Sequence, residues 1–230
     1  GHTLPNVKVR VRKMRGTFSG GTAASFGETM KRAMKDPKVL AGLKDPFALT
    51  PDFTGPPQPT GHKPIEEQDL GSWSAPFIMA SINTKNIHRS NALLGHLYGE
   101  DFVYDEMVLT GPGEKGKAAA EYVAKDDSMA KNPPKPGEGP SKEERETGFY
   151  DVMFVGDAPD GTRIIAGVTG DKDPGYGSTS KMIAESALCL AKDVSREDTP
   201  GGVYTSAPAM GGALIDRLVA NAGLTFKIES

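Results

Sequence analysis

The chain has 230 residues, 25% of them charged, with a net charge of -3 and a single cysteine. That length supports a sizeable core in one large domain or two small ones. The slight acidity provides no basic field for nucleic acid, and one cysteine excludes an internal disulfide framework and suits a reducing, cytoplasmic setting. No apolar run approaches the roughly 18–20 residues of a membrane span, and no signal peptide is visible. The chain opens GHTLPNV without an initiator methionine and enters a strand almost at once. Gly1-His2 therefore reads as a cleavage scar, and residues 3–230 as one domain excised from something longer.

In chain order, Val7, Val9 and Val11 alternate with Lys8, Arg10 and Arg12. This predicts a half-exposed strand with a solvated basic face. A glycine corner, FSGGTAAS at 18–25, leads into a helix carrying Phe26, Met30, Ala33 and Met34 at helical spacing, which Asp36-Pro37 ends. Residues 42 to 76 are dense in Pro and Gly and read as a long irregular excursion, a flap or a surface wrap. PFIMASIN (76–83) predicts a buried strand. It is followed by a short helix stopped at Gly95, a strand over 101–109 and an alanine-rich helix over 115–124.

KNPPKPGEGP (131–140) reads as a connector, and Ser141 with Glu144 forms a capping box for a brief helix. GFYDVMFVG and TRIIAGVTG flank DAPDG as a hairpin. Ile183, Ala187, Ala191 and Val194 then mark the apolar stripe of a long helix. A helix carrying Met210, Leu214 and Leu218 and ending at Gly223 precedes a closing strand with Leu224, Phe226 and Ile228. Hairpins and irregular loops outnumber crossover helices. The pattern predicts an α+β fold, a mixed and mainly antiparallel sheet with helices packed on one face.

Two loops could carry chemistry. Ser19, Gly20, Gly21 and Thr22 lie where a strand meets a helix start, so backbone N–H groups and hydroxyls converge there. The spacing matches neither dinucleotide nor P-loop fingerprints. A plain turn with an N-cap and a ligand-facing corner both remain open. GDKDPGYGSTSK (170–181) repeats the arrangement, with Tyr176 free to project between Gly175 and Gly177 and a helix cap as the simpler account. Asp171 and Asp173 lack calcium-loop spacing. Arg89 is either a carboxylate or phosphate ligand or a solvated surface cation. His2, His62, His88 and His96 form no metal-binding pair, Cys189 reads as a buried inert thiol, and SGG without a base gives no hydrolase nucleophile.

The motifs FSGGTAAS, DPFALTP, APFIMASINTKNIHRSNALLG, YDEMVLTGPG, KPGEGPS, GDKDPGYGSTSKMIAESALCL and GGVYTSAPAMGGALIDRL, in this order, resemble the C-terminal half of saccharopine dehydrogenase-like oxidoreductases. Trans-acting enoyl reductase relatives belong to the same resemblance. It implies a substrate-side domain like the C-terminal domain of glyceraldehyde-3-phosphate dehydrogenase. NAD(P) would be bound mainly by a Rossmann domain outside these residues, with no cofactor expected on this piece alone. It further implies a small-molecule or acyl, lipid-like substrate, a homodimer, and Ser19, Gly20, Gly21, Thr22, Gly175, Tyr176 and Gly177 as cleft-lining positions, without naming a catalytic acid. Where some relatives carry an apolar, membrane-leaning segment, AEYVAKDDSMAKNPP is short and polar. The alternative is a non-catalytic ligand-binding or assembly module of the same kind.

Overall fold

A computed structural model describes residues 3–230, side chains 129 and 130 excepted, so Gly1-His2 lie outside the described residues. The elements in order are β1 (Asn6–Arg15), α1 (Gly20–Lys35), α2 (Pro37–Lys44), β2 (Ile65–Glu67), β3 (Ser72–Pro76), α3 (Ala80–Leu93), β4 (Val103–Gly111), α4 (Gly113–Lys125), α5 (Ser128–Lys131), α6 (Lys142–Thr147), β5 (Phe149–Asp157), β6 (Arg163–Gly170), α7 (Gly177–Lys192), α8 (Ser206–Asn221) and β7 (Leu224–Ile228). The strands form one seven-stranded sheet in the order β2-β3-β4-β1-β5-β6-β7. β1 and β4 pair in parallel, and the other pairings are antiparallel. The fold is α+β with a mixed sheet.

The valine face of β1 carries the helices. Val9 packs with Phe102 and Tyr104, and Ile87 of α3 closes over them. Asn83 of α3 donates to Glu106, Thr110 donates to the Gly116 carbonyl of α4, and the Tyr150 hydroxyl meets Ser178 of α7. A second cluster, Cys189, Leu214, Leu218, Ala222 and Leu224, joins α7, α8 and β7.

Several elements differ from expectation. PFIMASIN is not one strand: β3 lies earlier, over Ser72–Pro76, and α3 starts at Ala80. Pro76 has no N–H to continue the ladder. The excursion over 42 to 76 contains β2 and β3, and its Phe47 ring lies 4.4 Å from His88. Asp36 ends α1 and caps α2 through the Lys38 amide, with Pro37 at the first helical position. The predicted α7 stripe is split: Ile183 is 69% exposed and Ala187 and Ala191 are exposed, whereas Val194 packs half-buried against the Cys189 cluster, and Ser178 and Cys189 are the buried residues of α7. The capping box at Ser141 and the hairpin of β5 and β6 form as expected.

The largest correction concerns the basic face of β1. Arg10 is completely buried, because carboxylates arrive from other strands. Its guanidinium is ion-paired with Glu67 and Asp105, and Glu67 also accepts from Ser74. Lys8 bridges Glu67 and Asp69 at 3.2 and 3.1 Å, and Asp69 reaches Arg163 of β6 at 3.2 Å. The turn after β2 therefore crosses the sheet face and covers Arg10. Burial pushes the Glu67 carboxyl up, but hydrogen bonds and charge from Arg10 outweigh that and hold it below its ordinary value.

Removing one member of a buried pair strands the others. Arg10→Ala is expected to cost about 3–5 kcal/mol in urea unfolding. Lys142→Ala, which breaks only an exposed helical pair with Glu146, should cost less than about 0.5 kcal/mol. Equal losses would contradict the assignment. His88 gives a pH signature. It is 3% exposed, its Nε2 has no hydrogen-bond partner, and burial lowers its pKa to about 4. Its contribution is fully present above pH 6.5 and is lost as pH falls toward 4, because the unfolded chain binds the proton first. The difference is about 3 kcal/mol, and melts of wild type and His88→Phe at pH 7.5 and 4.5 should diverge accordingly.

Candidate functional site

The two glycine-rich corners, 157 positions apart in sequence, meet at one phenol. The Tyr176 hydroxyl accepts the Ser19 backbone N–H at 3.1 Å, contacts the Thr22 hydroxyl at 3.0 Å, and donates a short hydrogen bond to Ser19 Oγ. Ser19 Oγ also caps α1 by accepting the Thr22 N–H at 3.3 Å. Burial acts to raise the Tyr176 pKa, but the hydrogen bonds with Ser19 and Thr22 stabilise the phenolate more. The group lies below its ordinary value.

The loop that presents Tyr176 is organised by Asp173, which has no exposed surface. Its carboxylate accepts the Gly175, Tyr176 and Gly177 amides at 3.1, 3.0 and 2.5 Å. Sequence spacing had offered Asp173 only as a poor metal ligand. Three converging amides require an anion without requiring a metal, and among the described residues no group of His, Cys, Asp or Glu is placed to hold one.

Ser19, Gly175 and Tyr176 line a cavity of about 720 Å³ with the 137–140 loop, Arg145 and Ile183. Arg145 was not singled out from sequence, and the 137–140 loop entered only within the KPGEGPS motif, not as a site. KPGEGP reads as a connector, yet Gly20 donates its amide to the Glu138 carbonyl at 2.9 Å and Arg145 anchors Pro140 at 2.7 Å. No local pattern reports a wall assembled by such distant contacts.

The other predicted positions separate. A Cβ on Gly20 would sit 1.8 Å from the Lys135 carbonyl oxygen, so that glycine admits its own chain and no ligand. Gly177 is likewise closed, by the Arg145 carbonyl, and Gly21 is exposed outside the cavity lining. Arg89 is not at this site: it donates to the Leu49 and Val203 carbonyls at 3.4 Å each, tying two loops to α3. At each corner one glycine, Gly20 or Gly177, is thus taken up by close packing against the chain's own backbone.

An α+β mixed-sheet chain with a tyrosine–serine–threonine hydroxyl cluster beside a cavity is the class that fold and site define. Comparison gives the relatives. A Mycobacterium tuberculosis protein provisionally named a trans-acting enoyl reductase is 37% identical over 94% of this chain and 58% of its own length. Trans-acting enoyl reductases of Mycobacterium ulcerans and Mycobacterium bovis are 31% and 32% identical over 87% of this chain and 54% of theirs. The chain is a relative of these proteins and spans somewhat over half their length. No family profile and no solved structure matches it. Among the described residues no helix is long and apolar enough to cross a membrane.

Asp173→Ala is expected to release the 174–177 loop. Amide exchange of Gly175, Tyr176 and Gly177 should accelerate at least tenfold, with a stability loss of about 2–4 kcal/mol. Unchanged exchange would show that another group organises the loop.

Proposed function

We propose that this chain is the substrate-side part of an enoyl-reductase-type oxidoreductase of the saccharopine dehydrogenase-like kind. In this reading it handles the carbonyl end of an α,β-unsaturated acyl group. The names of the relatives support the reaction class. The observation that carries the site assignment is the Tyr176 hydroxyl, clamped by Ser19 and Thr22 on the wall of the 720 Å³ cavity.

Reduction of a conjugated double bond places negative charge on the acyl carbonyl oxygen, and preoriented donors stabilise it as it forms. Tyr176 and Ser19 share hydrogens within one cluster, so a carbonyl oxygen entering the cavity replaces one internal acceptor without leaving a donor unpaired. The lowered Tyr176 pKa makes its O–H a stronger donor and brings it nearer the range useful for proton transfer. Arg145 supplies a positive charge on the same wall. In this reading NAD(P) sits on a segment outside these residues, which the packing of Gly20 and Gly177 against their own backbone supports, and no step here is routed through it. A homodimer belongs to the same reading.

Tyr176→Phe in the full-length protein is expected to lower kcat for an enoyl thioester about 10²–10³-fold, with the NADPH Kd changed less than threefold. An unchanged kcat would remove Tyr176 from the chemistry. Calorimetric titration of this 230-residue chain with NADPH should show no binding, and tight binding would overturn the division of labour.

A further inference from the structure

The outward-facing stripe of α7 borders two cavities. Ile183 lines the Tyr176 cavity, and Leu190, two turns further on, lines another of about 690 Å³ between α7, α8 and the 195–205 loop. This second volume falls within the range of small-molecule sites, and nothing in the reductase reading uses it.

Its walls combine two chemistries. Leu190, Met210 and the Tyr204 ring give an apolar side, and Arg196 is the one charged residue in the lining. The neighbouring charges of α7 and α8 are already matched: Arg217 pairs with Glu185 and Asp193. Asp198 is engaged by Ser195 at 2.8 Å. Among the described residues Arg196 has neither an ion pair nor a hydrogen bond, and the Ser206 hydroxyl, which lines the same cavity, has no partner either. The remaining lining hydroxyls differ: Ser186 donates to the Met182 carbonyl, Thr199 to the Ala209 carbonyl, and Thr205 meets Ser90 at 2.6 Å.

The cavity is also held open by construction. Thr205 is tied to α3 through Ser90, and the Val203 carbonyl accepts from Arg89, so two successive α3 residues fix the loop that forms one wall. On the other wall α8 is broken immediately after Met210. Gly211 has φ 48° and ψ -131°, a conformation outside the helix that side chains other than glycine rarely adopt. Backbone of this kind persists where surrounding structure over-determines it, often beside ligand sites.

We propose that this cavity is a second ligand site, taking a small organic anion with an aliphatic body. The Arg196 guanidinium and Ser206 hydroxyl would receive the carboxylate or phosphate group, and Leu190, Tyr204 and Met210 the hydrocarbon. A planar guanidinium receives either anion in a bidentate fork.

The experiment is calorimetry on this chain with octanoate, octyl phosphate, octanol and inorganic phosphate, together with methyl NMR of Met210 and Ile183. Octanoate, octyl phosphate or both should bind and shift the Met210 methyl signal. The better-binding probe identifies whether carboxylates or phosphate esters are the natural class. Arg196→Gln should weaken the anionic alkyl probes tenfold or more and leave octanol unaffected, whereas Leu190→Gln should weaken every alkyl probe. Both residues are exposed, so neither change threatens folding. Anion binding unaltered by Arg196→Gln, inorganic phosphate binding as tightly as octyl phosphate, or shifts at Ile183 without Met210 would each overturn the proposal. No reductase assay enters the test, so its failure and that of the reductase reading are distinguishable.

Discussion

Arg10 lies near the middle of the sheet, on a strand whose other face is core, and its guanidinium has no exposed surface. A charge in that position is tolerable only if counter-charges are brought to it and its donors are satisfied. Glu67 and Asp105 supply the charges, and the Val9 and Asp105 carbonyls accept two further hydrogen bonds. Bringing Glu67 there draws the β2 turn across the sheet, and Asp69 on the same turn then links Lys8 to Arg163 of β6. The far edge of the sheet is thereby pinned to its centre. The first strand can hold its place between β4 and β5 and deliver its C-terminal end to the site.

That placement matters because the site is a meeting of strand ends. β1 leads into Ser19 and β6 into the Asp173 loop, with β5 between them in the sheet. β1 and β6 run parallel on either side of β5, so the helices that follow them start at the same end of the sheet, and Tyr176 bridges the gap. The glycines at these corners serve close packing of the chain on itself: Gly20 beneath the 135–138 loop and Gly177 beneath α6. The hydroxyls and the phenol are what remain available to a ligand. The connector over 131–140 closes the cavity, which gives a Pro/Gly-rich segment without regular structure a definite architectural role.

Local patterns were legible wherever the physics is local. The β5–β6 hairpin, the Ser141 capping box and the helix ending before Gly223 depend on turn chemistry, side-chain caps and short-range periodicity. The PFIMASIN segment misled because an apolar run reads alike as strand or helix, and only Pro76 and the packing of α3 separate the two. The α7 stripe misled for a different reason. Periodicity reports that a helix has an apolar face, not which way the face points, and here Ser178 and Cys189 are buried while Ile183 and Leu190 face outward.

Residue types and spacing alone established an α+β chain with a mixed sheet, the two glycine-rich corners, and the candidate hydroxyls and tyrosine at them. The tertiary structure decided which of these meet: Ser19, Thr22 and Tyr176 form one cluster, Arg89 holds loops elsewhere, and Arg145 and Asp173 enter as unforeseen supports. It also turned a basic strand face that reads as solvated into an ionic network centred on the buried Arg10, with Lys8 and Arg12 half-buried on either side. The reason is the range of the interactions. Caps, turns and amphipathic periods act over a few residues and leave a local trace, whereas ion pairs such as Arg10–Asp105 and contacts such as Ser19–Tyr176 join positions 95 and 157 residues apart. Such contacts exist only once the sheet order is set.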